Sequence, residues 1–567
     1  MPEEGCREKI LSQSYRDFII PDYRSDTDVI FPQSQACVQE LGFGYRAVYV
    51  NETFAPEVTI EQYGYNNIPG CYALTDTDAI NKAGISAVQN YPTLQLSGSG
   101  VMIGFVDTGI DYQNRIFRDI NGGSRIAGIW DQTIQDGPSP EGFAYGSEYT
   151  RETINRALRS ENPLGIVPSI DRNGHGTFLA SIAAGSQDLE NQFQGAAPKA
   201  VIGMVKLKEA KDYLKEFYAI KGDAVCFQEN DIMQGIYYLH QLAGKQNLPL
   251  VICLALGSNF GGHNGTTMLS RILDRYANTL NRCVVASVGN EAAQRHHYYG
   301  VLSSDTDTEE AEIRVESGNE GFVMELWTKL PNILTTYLVS PSGERSPVIS
   351  IRQGSRFDYT FAFDRTRVEI EYRFLLENND SQLIFYRFTD PAEGIWRVGV
   401  EPLLISGGEF HIWSSMKEFI DGDVYFLEAN PDTTLTDTGT TRDVITVSYY
   451  NAVENSVDIN AGRGYTRSRL IKPELAAPGV QVTGAGTDGR FVKRSGSSIA
   501  AGITAGAAAL IMEWLIQQPS VTGVTTSQVK NILILGAEQG ILPEYPNRQW
   551  GYGRMDLYQS LDRLRSL

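Results

Sequence analysis

Positive charge is in short supply: the 567 residues carry 48 Lys and Arg against 68 Asp and Glu, a formal net charge of −20. Nucleic acid and anionic membrane both require basic surface, so neither is expected as a partner. Long apolar runs are missing too; no stretch is read as reaching the ~18 residues of a membrane-spanning helix. The opening MPEEGCREKILSQSYRDF is acidic and lacks the apolar stretch of a signal peptide, which points to an intracellular compartment. Cysteine is sparse. The six residues Cys6, Cys37, Cys71, Cys226, Cys253 and Cys283 show no CxxC spacing, and no disulfide is indicated. Cys253 in VICLAL and Cys283 in CVVAS sit inside apolar runs and read as buried structural thiols.

What is present is ordinary for a soluble globular chain: 42% hydrophobic and 20% charged residues, in a length that calls for two or three domains. Residues 1–74 mix a helix near Cys6–Ser14 with alternating segments at Tyr45–Val50 and Val58–Ile60, a small α+β unit closed by NNIPGCYA. From 75 to 300, continuous apolar strands alternate with helical segments, the pattern of an α/β fold around a parallel sheet buried on both faces. From 301 to 432, short alternating segments such as FVMELWTK and RVEIEYRF follow one another with turn residues between them, which predicts an antiparallel sandwich or jelly roll. The α/β pattern resumes over 433–567. An all-β module is therefore inserted in an α/β domain.

Three segments carry chemistry. VMIGFVDTGID places Asp107 at the carboxyl end of an apolar strand, where open α/β sheets build their sites. DRNGHGTFLASIAAG sets His175 between glycines at a helix start. RSGSSIAAGITAG puts Ser498 at the start of a second helix, where unpaired N–H groups suit an anionic intermediate. Alone, each has a bland explanation: a turn aspartate, a packed histidine, an N-cap serine. Together they meet a chemical need, because serine is a weak nucleophile until a histidine takes its proton and a carboxylate orients that histidine. The order Asp, His, Ser is that of the subtilisin arrangement. The other histidines (His240, His263, His296, His297, His411) lack such context; His296 and His297 are adjacent, but no third metal ligand is spaced to help them.

DTGID, NGHGT and GSSIA resemble the three signature segments of the subtilisin-like S8 family. GAAPKAVIGMVKL, LALGSN, ASVGNE, PELAAPGV and WGYGRMD resemble further segments of it. The resemblance implies a catalytic triad of Asp107, His175 and Ser498. It implies Asn290 as oxyanion donor beside the Ser498 N–H, and a substrate pocket walled by Leu254, Ala255, Leu256, Gly257, Ala286, Ser287, Val288 and Gly289. Glu291 would stand near the pocket's mouth and disfavour acidic side chains, and the small walls suit a medium-sized P1 residue. Ser497 stands where the family usually has threonine and keeps the hydroxyl. Gly502 replaces a usual proline and is expected to loosen the turn behind the nucleophile.

The resemblance also casts residues 1–74 as a propeptide, self-cleaved after Leu74 or Thr75. GNEAAQRHHYYG and the following β-rich stretch are similar to those of the Csp germination proteases of clostridial spores. That similarity implies a propeptide retained in the cleft, a spore-associated setting and a protein substrate such as a cortex-lytic zymogen. A regulatory subtilase-fold protein with little turnover is the alternative. No cofactor is implied; many subtilisins bind calcium, but no ligand set is readable here. The second DTG, Asp437–Gly439, raises an aspartic peptidase pair, but Asp437 follows TTLT rather than an apolar strand, and that reading leaves GHGT unexplained.

Overall fold

The computed structural model describes residues 6–21, 37–74, 81–91, 94–349, 356–375, 380–541 and 544–566. Its centre is a twisted sheet. In spatial order the strands are Ser456–Val457, Ile445–Asn451, Arg282–Ser287, Leu250–Leu254, Met102–Asp107, Val201–Lys206, Ile126–Asp131 and Ser147–Thr150, with Leu475–Pro478 beside Ile445–Asn451. The interior pairs are parallel and the two end strands antiparallel. Runs such as MIGFVD and RCVVAS are buried along their whole length, as expected of strands covered on both faces.

One face is covered by the helices His175–Ala184 and Ser497–Ile516, whose Ile182, Ile503 and Leu510 share a core with Ile103, Val251 and Val285. The second helix corrects one expectation: it is long and apolar enough to cross a membrane by composition. It is instead a core helix, with 89% of its most apolar window buried, because it runs under the sheet rather than along the surface. The opposite face carries the helix Glu229–Lys245. Over that helix lies an antiparallel sheet in the order Tyr15–Pro21, Tyr45–Asn51, Cys37–Gly42.

This N-terminal unit departs from the sequence reading in three places. Its first helix ends at Leu11, and Val58 and Thr59 lead into the helical turn Ile60–Tyr63 with Thr59 as N-cap. Cys6 and Cys37 form a disulfide, although none was indicated. The helix lies across the sheet and brings their Cα atoms to 5.4 Å, within bridging range. A separation of 31 residues carries no spacing signal. Cys71, Cys226, Cys253 and Cys283 are buried free thiols, and burial pushes the Cys283 thiol up to about 12.

Between His297 and Phe426, a six-stranded and a four-stranded antiparallel sheet enclose a separate core that includes Phe322, Ile384, Trp396 and Ile412. The sandwich begins a few residues before position 301. It is not peripheral: Trp327, Phe385 and Trp413 join Phe18 and Tyr65 of the N-terminal unit and Phe217 of the α/β domain in one buried cluster.

Candidate active site

Asp107 ends the central strand, and its Oδ1 accepts the Thr108 N–H at 2.7 Å. His175 opens its helix after Gly174, whose left-handed φ of 82° turns the chain in. The His175 Nδ1 lies 2.8 and 2.9 Å from the two Asp107 oxygens. Such closeness needs Gly176: a Cβ there would stand 2.2 Å from the Gly109 carbonyl oxygen. A further residue, which the sequence reading quoted but gave no role, fixes the junction. Asp171 accepts hydrogen bonds from Thr108 Oγ1 (2.8 Å), the Gly174 N–H (2.8 Å), and the Thr177 N–H and Oγ1 (2.9 and 2.7 Å). It therefore ties the aspartate turn to the first turn of the histidine helix. An acidic residue just ahead of a helix start was the available signal.

Ser498 lies in the first turn of its helix, with Oγ 3.1 Å from His175 Nε2. Asp107, His175 and Ser498 are 0%, 4% and 0% exposed. The Oδ1 of Asn290 accepts the Ser497 N–H at 3.2 Å, which leaves its amide NH2 as the donating end beside the serine turn. The Ser497 hydroxyl is buried with no hydrogen-bond partner among the described residues. Gly502 lies where the serine and histidine helices meet. A Cβ there would lie 2.6 Å from Leu179 Cδ1 and 3.0 Å from Ile182 Cδ1, so these methyl ends pack directly over the bare glycine.

At the same carboxyl end of the sheet, Leu256–Gly257 follows the strand next to that of Asp107, and the chain itself fills the groove between that segment and Phe227–Gln228. Strand Cys71–Leu74 pairs antiparallel with Leu256–Gly257 on one side (Leu74 opposite Leu256, Ala73 opposite Gly257). On the other side it pairs with Phe227–Gln228 (Tyr72 opposite Phe227). Thr75 lies outside the described residues. The arrangement is that of an extended peptide added as a middle strand, with a proton-accepting histidine and a serine hydroxyl in contact.

The chain matches the subtilase family, Peptidase_S8, over residues 98–346 and 404–553. It belongs to that family. A solved structure of the CspB protease of Clostridium perfringens is similar at 29% identity and a TM-score of 0.76, over 86% of this chain and 99% of that one. The C5a peptidase of Streptococcus pyogenes is 21% identical over 528 residues, 85% of this chain. This chain spans only 41% of that protein. Subtilisin-like protease SBT2.3 of Arabidopsis thaliana is 26% identical over 159 residues.

In this subtilase the expected pocket walls separate into two groups. Leu254 and Ala286 are paired strand residues within the core. Gly257 and Gly289 both abut Thr436. A Cβ on either glycine would come within 2.7 and 2.3 Å of that side chain, so Thr436 narrows the space expected for a medium-sized side chain. Thr436 escaped the sequence reading because the whole sandwich separates it from the glycines it touches.

Glu291 is also relocated. It is 3% exposed, accepts from Asn259 Nδ2 at 2.8 Å and lies 2.6 Å from His296 Nδ1. It braces the base of the sandwich rather than guarding a pocket mouth, so the bias against acidic side chains has no structural basis. His297 faces His411 at 2.9 Å, and both stack on Trp413; burial lowers His297 to about 3. Among the described residues no three ligating side chains gather to hold a metal.

Proposed function

We propose that this subtilase is a serine endopeptidase that cuts its own chain after Leu74 or Thr75, keeps residues 1–74 as a bound propeptide, and matures a specific protein substrate. The observation that carries the reading is the His175–Ser498 contact at 3.1 Å at the end of the sheet where Cys71–Leu74 fills a groove as a strand. In the reaction, Ser498 Oγ attacks the scissile carbonyl carbon while His175 Nε2 takes its proton. Asp107 holds the ring and stabilises the imidazolium. The oxyanion is received by the Asn290 amide and the Ser498 N–H. Loss of one such donor costs about 2.7–4 kcal/mol of transition-state stabilisation. His175 then protonates the departing amine, and water repeats the sequence to free the acyl group.

The resemblance to Csp proteases, and the likeness to the CspB protease structure, support a spore-associated setting with a cortex-lytic zymogen as substrate. They equally support the view that the sandwich is a jelly-roll insertion. The alternative is a regulatory protein with little turnover, favoured by a triad that is wholly covered. Intact mass and N-terminal sequencing of purified protein decide between them. The peptidase reading expects a break at 74–76 in the unaltered chain and a single uncut chain in Ser498→Ala. Identical uncut products from both overturn it.

A further inference from the structure

The second DTG segment is left without a role by the triad, and its aspartate is buried under the groove. Asp437 is 1% exposed and begins a short 3-10 turn, Asp437–Thr440. The turn is bound to the groove's own edge: the Asp437 N–H donates to the Ser258 carbonyl at 2.9 Å and Thr438 Oγ1 to the Leu256 carbonyl at 2.9 Å. The carboxylate accepts Thr267 Oγ1 at 2.8 Å and, more weakly, Ser270 Oγ at 3.4 Å. Its remaining partner comes from the strand in the groove. Tyr72 OH donates to Asp437 Oδ2 at 3.0 Å.

Tyr72 is 2% exposed, and its ring joins the apolar cluster of Phe227, Leu256 and Met268. Burial pushes the Asp437 carboxyl up to about 6, against the opposing hydrogen bonds from Thr267, Tyr72 and Ser270, and among the described residues no cation pairs with it. The site is thus a buried pocket whose apolar walls lead to the Asp437 carboxylate, which takes the hydroxyl at the end of the aromatic ring, with the Glu229 carboxylate and the Ser258 and Thr267 hydroxyls also in its lining. Just before the strand, the Gly70 N–H donates to Glu229 at 3.0 Å, a backbone contact that reads no side chain.

We infer that Asp437 is a specificity-determining residue that selects tyrosine at the position Tyr72 occupies, the third or fourth residue before the cut. The inference rests on the peptidase reading above. A protein substrate that replaces Cys71–Leu74 must place a side chain in the same pocket. Phenylalanine fits the walls but leaves Asp437 with one hydroxyl fewer in a dry site. Leucine leaves space as well, and an acidic side chain meets a carboxylate. Sites built around a buried hydrogen bond discriminate strongly against the analogue lacking it. Because Thr267 stays in place, the expected discrimination is about tenfold to a hundredfold.

The full chain tests this when made by cell-free translation, so that self-cleavage is followed by mass spectrometry from synthesis onward. Tyr72, Tyr72→Phe, Tyr72→Leu and Tyr72→Lys are each combined with native Asp437, Asp437→Asn and Asp437→Leu. The same set in a Ser498→Ala background is read by hydrogen exchange of the strand Cys71–Leu74. With Asp437, tyrosine is cut at least about tenfold faster than phenylalanine. With Asp437→Leu the order inverts, and the near-isosteric Asp437→Asn, which separates misfolding from lost recognition, falls between. Strand exchange follows the same ranking. Equal cutting and equal exchange for tyrosine and phenylalanine overturn the inference while leaving the peptidase reading intact. Faster cutting of lysine also overturns it, because the site would then read charge. If no variant is cut, the peptidase reading fails, and the exchange ranking still upholds or rejects the Tyr72–Asp437 recognition.

Discussion

The ammonium of Lys211, in the α/β domain, pairs with the carboxylate of Asp17, in the N-terminal unit, at a site where the residues are 2% and 0% exposed. Gln228 Nε2 and Asn230 Nδ2 also donate to Asp17, at 2.6 and 3.2 Å, so the carboxylate is saturated from the domain it is pressed against. Burial lowers the Lys211 pKa, and Asp17 opposes that shift.

Removing one member of such a pair leaves the other charged and dry, which typically costs about 3–5 kcal/mol. Asp17→Ala is expected to destabilise the chain by that order, visible as a lower denaturant midpoint. In the cut protein it is expected to release residues 1–74 on gel filtration. Asp17→Asn, which can still accept from Gln228 and Lys211, is expected to lose less.

The meeting of the two active-site helices gives a second test. Gly502→Ala inserts a methyl against Leu179 and Ile182, an overpacking that costs about 1–3 kcal/mol. Leu179→Ala alone opens a cavity and destabilises. The double variant is expected to recover part of both losses, so a double-mutant cycle read by urea unfolding returns a coupling of about 0.5–3 kcal/mol. Additive losses would mean that the helices do not close on Gly502.

These contacts show why some of this molecule was readable in advance and some was not. Asp107, His175, Ser498 and Asn290 lie at strand ends and helix starts, each inside a short stretch whose glycines and apolar neighbours announce the local geometry. The central strands were equally legible, because burial on both faces leaves continuous apolar runs. Thr436, Asp437 and the Cys6–Cys37 bridge had no such local signature. Each depends on a partner brought near only by the finished fold. Glu291 misled because adjacency to Asn290 in the chain says nothing about which way the next side chain turns, and His296 draws it away from the groove.

Asp171 makes a third prediction. Its carboxylate holds both the Asp107 turn and the His175 helix start, so Asp171→Asn is expected to shift His175 relative to Ser498 more than it destabilises the fold. Self-cleavage and Ser498 labelling by a fluorophosphonate are expected to slow about tenfold to a hundredfold, for a loss of about 1–3 kcal/mol in positioning. Thermal unfolding is expected to stay close to that of the unaltered chain. Equal losses in labelling and in global stability would make Asp171 merely structural.

The last prediction concerns pH. Three buried carboxylates accept hydrogen bonds from the segment leading into the groove: Glu325 from Tyr65 OH at 2.8 Å, Glu229 from the Gly70 N–H at 3.0 Å and Asp437 from Tyr72 OH at 3.0 Å. Burial raises Glu325 and Glu229 to about 7 and Asp437 to about 6. Undocking the segment admits water and returns these groups toward ordinary carboxylate values. The docked form therefore holds more protons, and docking is most stable below the undocked pKa values near 4–4.5. It weakens as pH rises through 6 and 7, by up to about 1.4 kcal/mol per pH unit for each group that titrates. Hydrogen exchange over residues 65–72 is expected to be slower at pH 5.5 than at pH 8, after correction for intrinsic exchange rates. Glu229→Gln and Glu325→Gln, which cannot ionise, are expected to flatten that difference. An unchanged pH dependence in the double variant would assign it to groups elsewhere in the chain.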